Sequence, residues 1–314
     1  MFNHYSVLKD ESIKLLAIKE NGIYVDATMG GGGHSSEILK KLTTGHLYAF
    51  DQDDFAIRET SKKLANIGEN FTVIKSNFVH LKSELATHQV TKIDGIIFDL
   101  GVSSPQLDDA HRGFSFHQDA PLDMRMDQTA ALTARDVVNT WTFHDLLRIF
   151  SRYGEEKFSK QVARAIEAKR EIAPITTTLE LVDLIKDAIP AAARRKGGHP
   201  AKRIFQAIRI AVNDELNVFE KALEDSMEML NINGRVAVIS FHSLEDRMAK
   251  HLFAERAKED EAYRGMPFVP EAYRPEFEVI TRKPVAPGRD ELDENKRSRS
   301  AKLRVAKRVR EAMI

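Results

Sequence analysis

Along the first hundred residues, short apolar runs alternate with stretches in which apolar positions recur every three to four residues. Runs of four to eight apolar residues bounded by Gly, Asn or Asp are the signature of parallel strands buried on both faces, and the intervening period of 3.6 is that of amphipathic helices. The pattern predicts strands at 22–28, 46–51, 71–76 and 93–100 and helices at 35–42, 55–66 and 79–86, a βαβ arrangement. The alternation stops at 104. From there to about 126 there is scattered charge, with Pro105, Gly113 and Pro121, and the segment reads as a long loop.

A purely helical pattern then runs from about 134 to 199. Trp141, Phe143, Leu146, Leu147 and Phe150 share one face, and Thr177 and Glu180 have capping-box spacing ahead of Leu181, Leu184 and Ile185. The sheet pattern returns with a helix at 214–230, a buried strand at 236–240, a helix at 244–258 and two late runs, 277–282 and 301–306, which read as a terminal hairpin. The expected architecture is α/β, with a doubly wound sheet carrying one antiparallel strand. It is built from 1–104 and 210–314, with an all-helical insertion at 105–209.

Composition narrows the chemistry. No stretch of 18 apolar residues occurs and the N-terminus lacks a secretory core, so a cytoplasmic protein without a membrane partner is expected. Cysteine is absent, which removes disulfides, thiolate metal sites, cysteine-ligated clusters and cysteine nucleophiles together. Lys+Arg and Asp+Glu are 47 each, yet the charge is laid down in blocks. Arg194, Arg195, Lys196, Lys202, Arg203 and Arg209 have no acid between them, nor do the eight cations from Lys296 to Arg310. Either block suits a phosphate backbone.

Candidate chemistry gathers where strands end. Asp26-Ala-Thr-Met-Gly30-Gly-Gly-Gly33-His34-Ser35 lies at a strand-to-helix turn, where glycines allow close backbone approach and a helix N-terminus offers N–H groups to an anion. Asp51 follows about 20 residues later at a strand end, the place of a carboxylate that accepts from a nucleoside ribose. Phe78 could cover an adenine, and Asp99 closes the fourth strand. These features imply an adenosine-containing cofactor and leave NAD and S-adenosylmethionine open. The dinucleotide fingerprint lacks its third glycine, Ser35 standing in that place, and the late hairpin favours the second. The fifth strand ends in Ser240-Phe-His242-Ser-Leu-Glu245-Asp246. No second His completes a ligand spacing there, and no metal is expected.

The strings DATMGGGGHS (26–35), DLGVSSPQLD (99–108), RGFSF (112–116), PLDMRMD (121–127), YGEE (153–156) and SFHSLEDR (240–247) resemble the bacterial 16S ribosomal RNA cytosine-N4 methyltransferases, nearly end to end. The resemblance implies a Rossmann-like S-adenosylmethionine methyltransferase sheet with a helical insertion, acting on a cytosine amine in the decoding region of the small ribosomal subunit. Its cofactor positions fall on Gly32, Gly33, His34, Asp51, Phe78, Asp99 and Gln106. The acceptor that grips the target amine is left open among Ser103, Ser104, Ser240 and His242, with Asp99 ranked below them. Phe114, Phe116, Trp141 and Arg125 are candidates to face a flipped base. The absence of cysteine also excludes methylation of the cytosine ring carbon by thiolate addition. A homodimer is one option for the oligomeric state, which the sequence does not decide.

Overall fold

The computed structural model describes residues 6–195, 198–263 and 265–311, with the backbone alone for Ser104, Pro105 and Ala272. In chain order the first part comprises α1 (Lys9–Leu16), β1 (Ile23–Asp26), α2 (Gly33–Lys41), β2 (His46–Asp51), α3 (Asp54–Ala65), β3 (Phe71–Lys75), α4 (Leu81–Thr87) and β4 (Ile93–Asp99). Helices follow: α5 (Ser104–Asp108), α6 (Ala134–Thr140), α7 (Phe143–Arg152), α8 (Ser159–Ile172), α9 (Thr178–Ala188), α10 (Ala191–Arg194) and α11 (Lys202–Asn213). The last part is α12 (Glu215–Met229), β5 (Leu230–Ser240), α13 (Ser243–Arg256), β6 (Phe277–Val279), α14 (Arg289–Glu294) and β7 (Lys302–Arg308). The chain divides into two compact units, one of Met1–Gly101 with Asn217–Ile314 and one of Val102–Leu216.

The first unit is a seven-stranded sheet in the order β3-β2-β1-β4-β5-β7-β6. β1 to β5 are parallel, β7 runs antiparallel to β5, and β6 pairs antiparallel with β7. This is a doubly wound, Rossmann-like sheet, its single reversed strand lying inside the late hairpin. Pleating sorts the strand residues between two cores. Val25, Tyr48, Phe50, Ile96, Phe98, Val236 and Val238 face α4, α12 and α13 residues such as Leu85, Phe219, Leu223 and Phe253. Tyr24, Leu47, Ala49, Ile97, Ala237 and Ile239 face Leu16, Ile38 and Leu64 from α1, α2 and α3. Coverage of both faces is why these strands read as continuous apolar runs.

The second unit has its own core, with Val137, Val138, Leu146, Ile149, Phe150, Val162, Ile166, Leu181, Ile185, Ile204, Phe205 and Ile208 buried together. Thr177 caps α9, its hydroxyl accepting from Glu180 N at 3.4 Å, while the Glu180 carboxylate accepts from Thr176 N at 2.9 Å. Among the described residues no helix is long and apolar enough to cross a membrane.

Several expectations need correction. α1 was not expected, and β5 starts six residues earlier than read, running through Asn231, Asn233 and Gly234. The expected long loop after 104 holds α5 and a 3-10 turn at Ala110–Arg112, whose Asp109 side chain accepts from His111 N. Half of the C-terminal basic block is taken up by internal partners, while Lys296, Arg297 and Arg299 are exposed. Arg304 pairs with Asp246 at 2.6 Å, Lys302 reaches the same carboxylate at 3.2 Å, and Lys307 pairs with Glu278. Buried Arg308 donates to the carbonyls of Met227, Glu228 and Leu230.

Candidate active site

The carboxyl ends of β1, β2, β4 and β5 place Asp26, Asp51, Asp99 and Ser240 along one edge of the first unit's sheet. β1 and β4 are neighbours, so the winding reverses between them, and open α/β sheets hold ligands at such a switch point. Hydrogen bonds fasten the strand ends to one another. Met29 N donates to Phe50 O, Ala27 N to Ile97 O and Asp99 N to Thr28 Oγ1 at 2.7 Å.

The glycine loop is held by side chains that the sequence reading passed over. Thr60 Oγ1 donates to Gly30 O at 2.7 Å and Lys63 Nζ to Gly31 O at 3.0 Å, both from one face of α3. Gly32 has φ +67°, and a Cβ there would lie 2.4 Å from the Thr60 methyl, so only glycine fits the turn that opens α2. The i, i+3 spacing of Thr60 and Lys63 on an amphipathic helix was the available signal, and it carries nothing specific.

Asp51 closes the loop from the other side. Its two carboxylate oxygens accept from Gly30 N (2.8 Å) and Asp53 N (2.9 Å). Burial raises its pKa and the backbone N–H groups oppose that shift. Asp26 is buried under the loop, accepting from Ser35 Oγ at 2.6 Å and Thr28 N at 3.1 Å. Burial pushes its pKa up to about 6, against the lowering by the Ser35 and Thr28 bonds, and the charge of Asp51 adds to the rise.

His34, in the first turn of α2, is buried. Its Nε2 donates to Val7 O at 3.1 Å, which turns Nδ1 toward Asp99 Oδ2 at 3.7 Å. The other oxygen of Asp99, Oδ1, is buried without a hydrogen-bond partner. Burial drives the Asp99 pKa well above the ordinary carboxylate value, and the charges of Asp26 and Glu245 add to it. An orphaned, desolvated carboxylate oxygen is the natural seat for an ammonium or another N–H donor. Phe78 packs edge-on against Phe98, ring centroids 5.7 Å apart, and stays half-buried. The first unit thus brings together six of the seven expected cofactor positions.

Gln106 belongs to the second unit. Its Oε1 accepts from Ser103 N at 3.0 Å, and Ser103 Oγ accepts from Gln106 N at 3.4 Å, a reciprocal cap on α5. The side chain of Ser104 lies outside the described residues. Ser240 leaves the set of amine acceptors: it is buried, and its hydroxyl donates to Lys302 O at 3.4 Å across the β5–β7 pair.

His242 serves as the N-cap of α13, its Nδ1 accepting from Glu245 N at 3.5 Å. Glu245 Oε2 in turn accepts from Phe241 N and His242 N. Its Oε1 lies 3.0 Å from His242 Nε2. The His-x-x-Glu spacing was visible in sequence, but as chemistry and not as a cap.

Of the four residues expected near a flipped base, three are occupied. Arg125 forms a bidentate pair with Asp123 and donates to Ala130 O. Phe114 is buried with Arg112 over its ring, and Trp141 packs on the helical core. Phe116 remains half-buried, stacked on His199.

The model of the MraW methylase family matches residues 1–309. Ribosomal RNA small subunit methyltransferase H of Exiguobacterium sibiricum is 63% identical over 312 residues, covering 99% of this chain and 100% of that protein. Among solved structures, an rRNA methylase from Streptococcus thermophilus is 14% identical with TM-score 0.43, covering 96% of this chain and 94% of its own. A SAM-dependent O-methyltransferase from Thermotoga maritima is 10% identical with TM-score 0.42, covering 99% and 69%.

Proposed function

The chain belongs to the MraW methylase family, whose members are S-adenosylmethionine-dependent methyltransferases, and from that premise we propose that it methylates small-subunit ribosomal RNA at the exocyclic N4 of a cytosine in the decoding region. The observation that carries this reading is the 63% identity, over essentially the full length of both chains, with a small-subunit rRNA methyltransferase. The strand-end geometry supports it.

The residues present fit the cofactor. Asp51, at the end of β2 beside the glycine loop, is placed to accept from ribose hydroxyls, and Phe78 offers a ring to an adenine. Asp99 Oδ1, buried and unpartnered, is suited to the cofactor's ammonium, which would also restore the carboxylate's charge. His34 fixes the Asp99 side chain from Oδ2, while Gly32 and Gly33 bring backbone close. Gln106 is proposed as a seventh cofactor residue on the strength of the sequence resemblance alone. When bound, S-adenosylmethionine supplies an electrophilic sulfonium methyl group.

The cytosine amine is a weak nucleophile because its lone pair is delocalised into the ring. The protein's task is alignment, which can supply on the order of 7–11 kcal/mol, together with an acceptor that localises the lone pair as the C–N bond forms. Ser103 and Ser104 are the proposed acceptors; His242, with its Nδ1 lone pair taken up by Glu245 N and its Nε2 left as an N–H donor, is proposed to take part as a donor at the site. In the test, protein and S-adenosylmethionine are incubated with unmethylated small subunits, and the digested nucleosides are analysed by mass spectrometry. N4-methylcytidine is expected; methyl groups found on a ring carbon, on ribose or nowhere in the RNA overturn the proposal.

A further inference from the structure

α1 starts on a residue that cannot cap it. Leu8, at its N-cap, stands at φ +50° and ψ +35° and has no side-chain acceptor to offer the first N–H groups of the helix. A bulky apolar residue keeps a left-handed backbone only where its surroundings hold it there. Two contacts hold Leu8. Its side chain is fully buried in one core with Val7, Leu16, Ile38 and Leu303. Its N–H donates at 3.0 Å to Oε1 of Glu291, 283 residues further along the chain.

Glu291 is anchored by the C-terminal part of the first unit. It lies in α14, and ahead of that helix Val285 and Leu303 exchange backbone hydrogen bonds at 2.9 and 2.8 Å. Asn295 N donates to Glu291 O at 2.7 Å where α14 ends, and the chain then enters β7. Burial raises the Glu291 pKa and the Leu8 N–H lowers it, while the like charges of Glu11 and Asp10, in the first turn of α1, add to the rise.

From Leu8 the contacts lead to the expected cofactor residues. Val7 O accepts from His34 Nε2 at 3.1 Å, and this sets Nδ1 of the ring toward Asp99 Oδ2 at 3.7 Å. Ser6 is buried against the first turn of α2, where a Cβ on Gly33 would overlap Ser6 Oγ. The missing side chain of Gly33 is therefore space that Ser6 fills. Ser6, Val7 and Leu8 together form a strap over the opening turn of α2, tied at its far end to Glu291.

We infer that Glu291 is a positioning residue of the S-adenosylmethionine site: by holding Leu8 N it keeps the strap seated, and Val7 O of the strap sets the His34 ring that braces Asp99. The inference rests on the reading of His34 and Asp99 as cofactor residues. Glu291 acts only through the strap, so its effect falls on cofactor binding and spares the chemical step.

The test uses the full-length protein, with S-adenosylmethionine affinity from calorimetry and steady-state methylation of small subunits. Glu291→Ala is expected to raise the Kd and KM for S-adenosylmethionine roughly tenfold, with kcat at saturating cofactor within about twofold. Glu291→Gln, whose amide oxygen still accepts from Leu8 N, is expected to restore both constants to within about twofold. Because the effect passes through His34, adding Glu291→Ala to His34→Ala should weaken binding by less than about twofold more. Linkage is reciprocal: a strap that tightens the cofactor is itself tightened by it. Saturating cofactor should therefore slow exchange of the Leu8 amide hydrogen about tenfold in the unaltered protein, a readout that depends on no variant folding. Unchanged affinity in Glu291→Ala, no rescue by Glu291→Gln, full additivity with His34→Ala, or Leu8 exchange indifferent to cofactor each overturns the assignment. Failure of the cofactor reading is seen separately, as His34→Ala and Asp99→Asn binding S-adenosylmethionine like the unaltered protein. Calorimetry and exchange need no RNA, so neither depends on the identity of the methylated substrate.

Discussion

Asp26 offers the sharpest quantitative test of the site, because its carboxyl titrates in the wrong range for an ordinary aspartate. It sits at the end of β1 with essentially no solvent exposure, and burial raises its pKa from 3.8 to about 6 despite bonds from Ser35 Oγ and Thr28 N. In the unfolded chain the group ionises near 3.8, so the native state holds the proton more tightly. The stability it contributes is therefore complete below pH 3.8 and is lost as pH rises through about 6. The gap between 3.8 and about 6, at about 1.4 kcal/mol per pH unit, is worth about 3 kcal/mol. Asp26→Asn removes the titration and keeps the shape, and the Ser35 hydroxyl can rotate to accept from the amide. The stability of the variant relative to the natural protein should therefore improve by about 3 kcal/mol between pH 4 and pH 7.5. Release of Asp99 from a neighbouring charge acts in the same direction. Urea unfolding followed by circular dichroism across that range measures the difference. A difference that stays flat within about 0.5 kcal/mol, or that falls as pH rises, refutes the assignment of a buried, ionising Asp26.

Three further outcomes follow from the geometry. Gly32→Ala places a methyl 2.4 Å from the Thr60 side chain at φ +67° and should weaken S-adenosylmethionine binding at least about tenfold, measured by calorimetry, with Thr60→Ser relieving part of the loss. His242→Asn keeps an acceptor for Glu245 N and so keeps α13 capped; kcat should fall by about 10²-fold with cofactor affinity within about twofold, and an unchanged kcat would remove His242 from the chemistry. Arg308→Met strips the donor from three buried carbonyls and should cost about 3 kcal/mol in urea unfolding at unchanged cofactor affinity, whereas a neutral effect would show that water replaces the guanidinium.

The parts of the fold that the sequence disclosed are those governed by local pattern. β2 and β4 are legible because Leu47 to Phe50 and Ile96 to Phe98 are covered on both faces and so appear as unbroken apolar runs. The early start of β5 is not legible, since Asn231, Asn233 and Gly234 carry turn chemistry and Asn233 has φ +67°; pairing with β4, through a register shift near Ile93 and Gly95, overrides it. α1 escaped notice because it is only eight residues, largely charged, and bounded by left-handed Leu8 and Ala17 instead of capping side chains. At the site, Asp51 and the glycines were visible by spacing. The roles of Ser240 and of the C-terminal arginines were not, because their partners, Lys302 for Ser240 and Asp246 and the carbonyls at the α12–β5 junction for the arginines, are about 60 to 80 residues away in the chain. Like charges in a row look the same whether solvent or a carboxylate awaits them.

The insertion of the helical unit between β4 and β5 also sets an order of events during synthesis. β4 is central in the finished sheet, yet its partner β5 begins only at Leu230, roughly 130 residues after β4 ends. At about 5–20 residues per second, the ribosome takes roughly ten seconds to make that interval. Through it, the edge of β4, with Ile96, Ile97 and Phe98, stands ready to template any other strand. The nascent chain therefore passes through a stage at which the cofactor half of the protein is an open sheet, and a chaperone that shields strand edges would act on this protein before its last third exists.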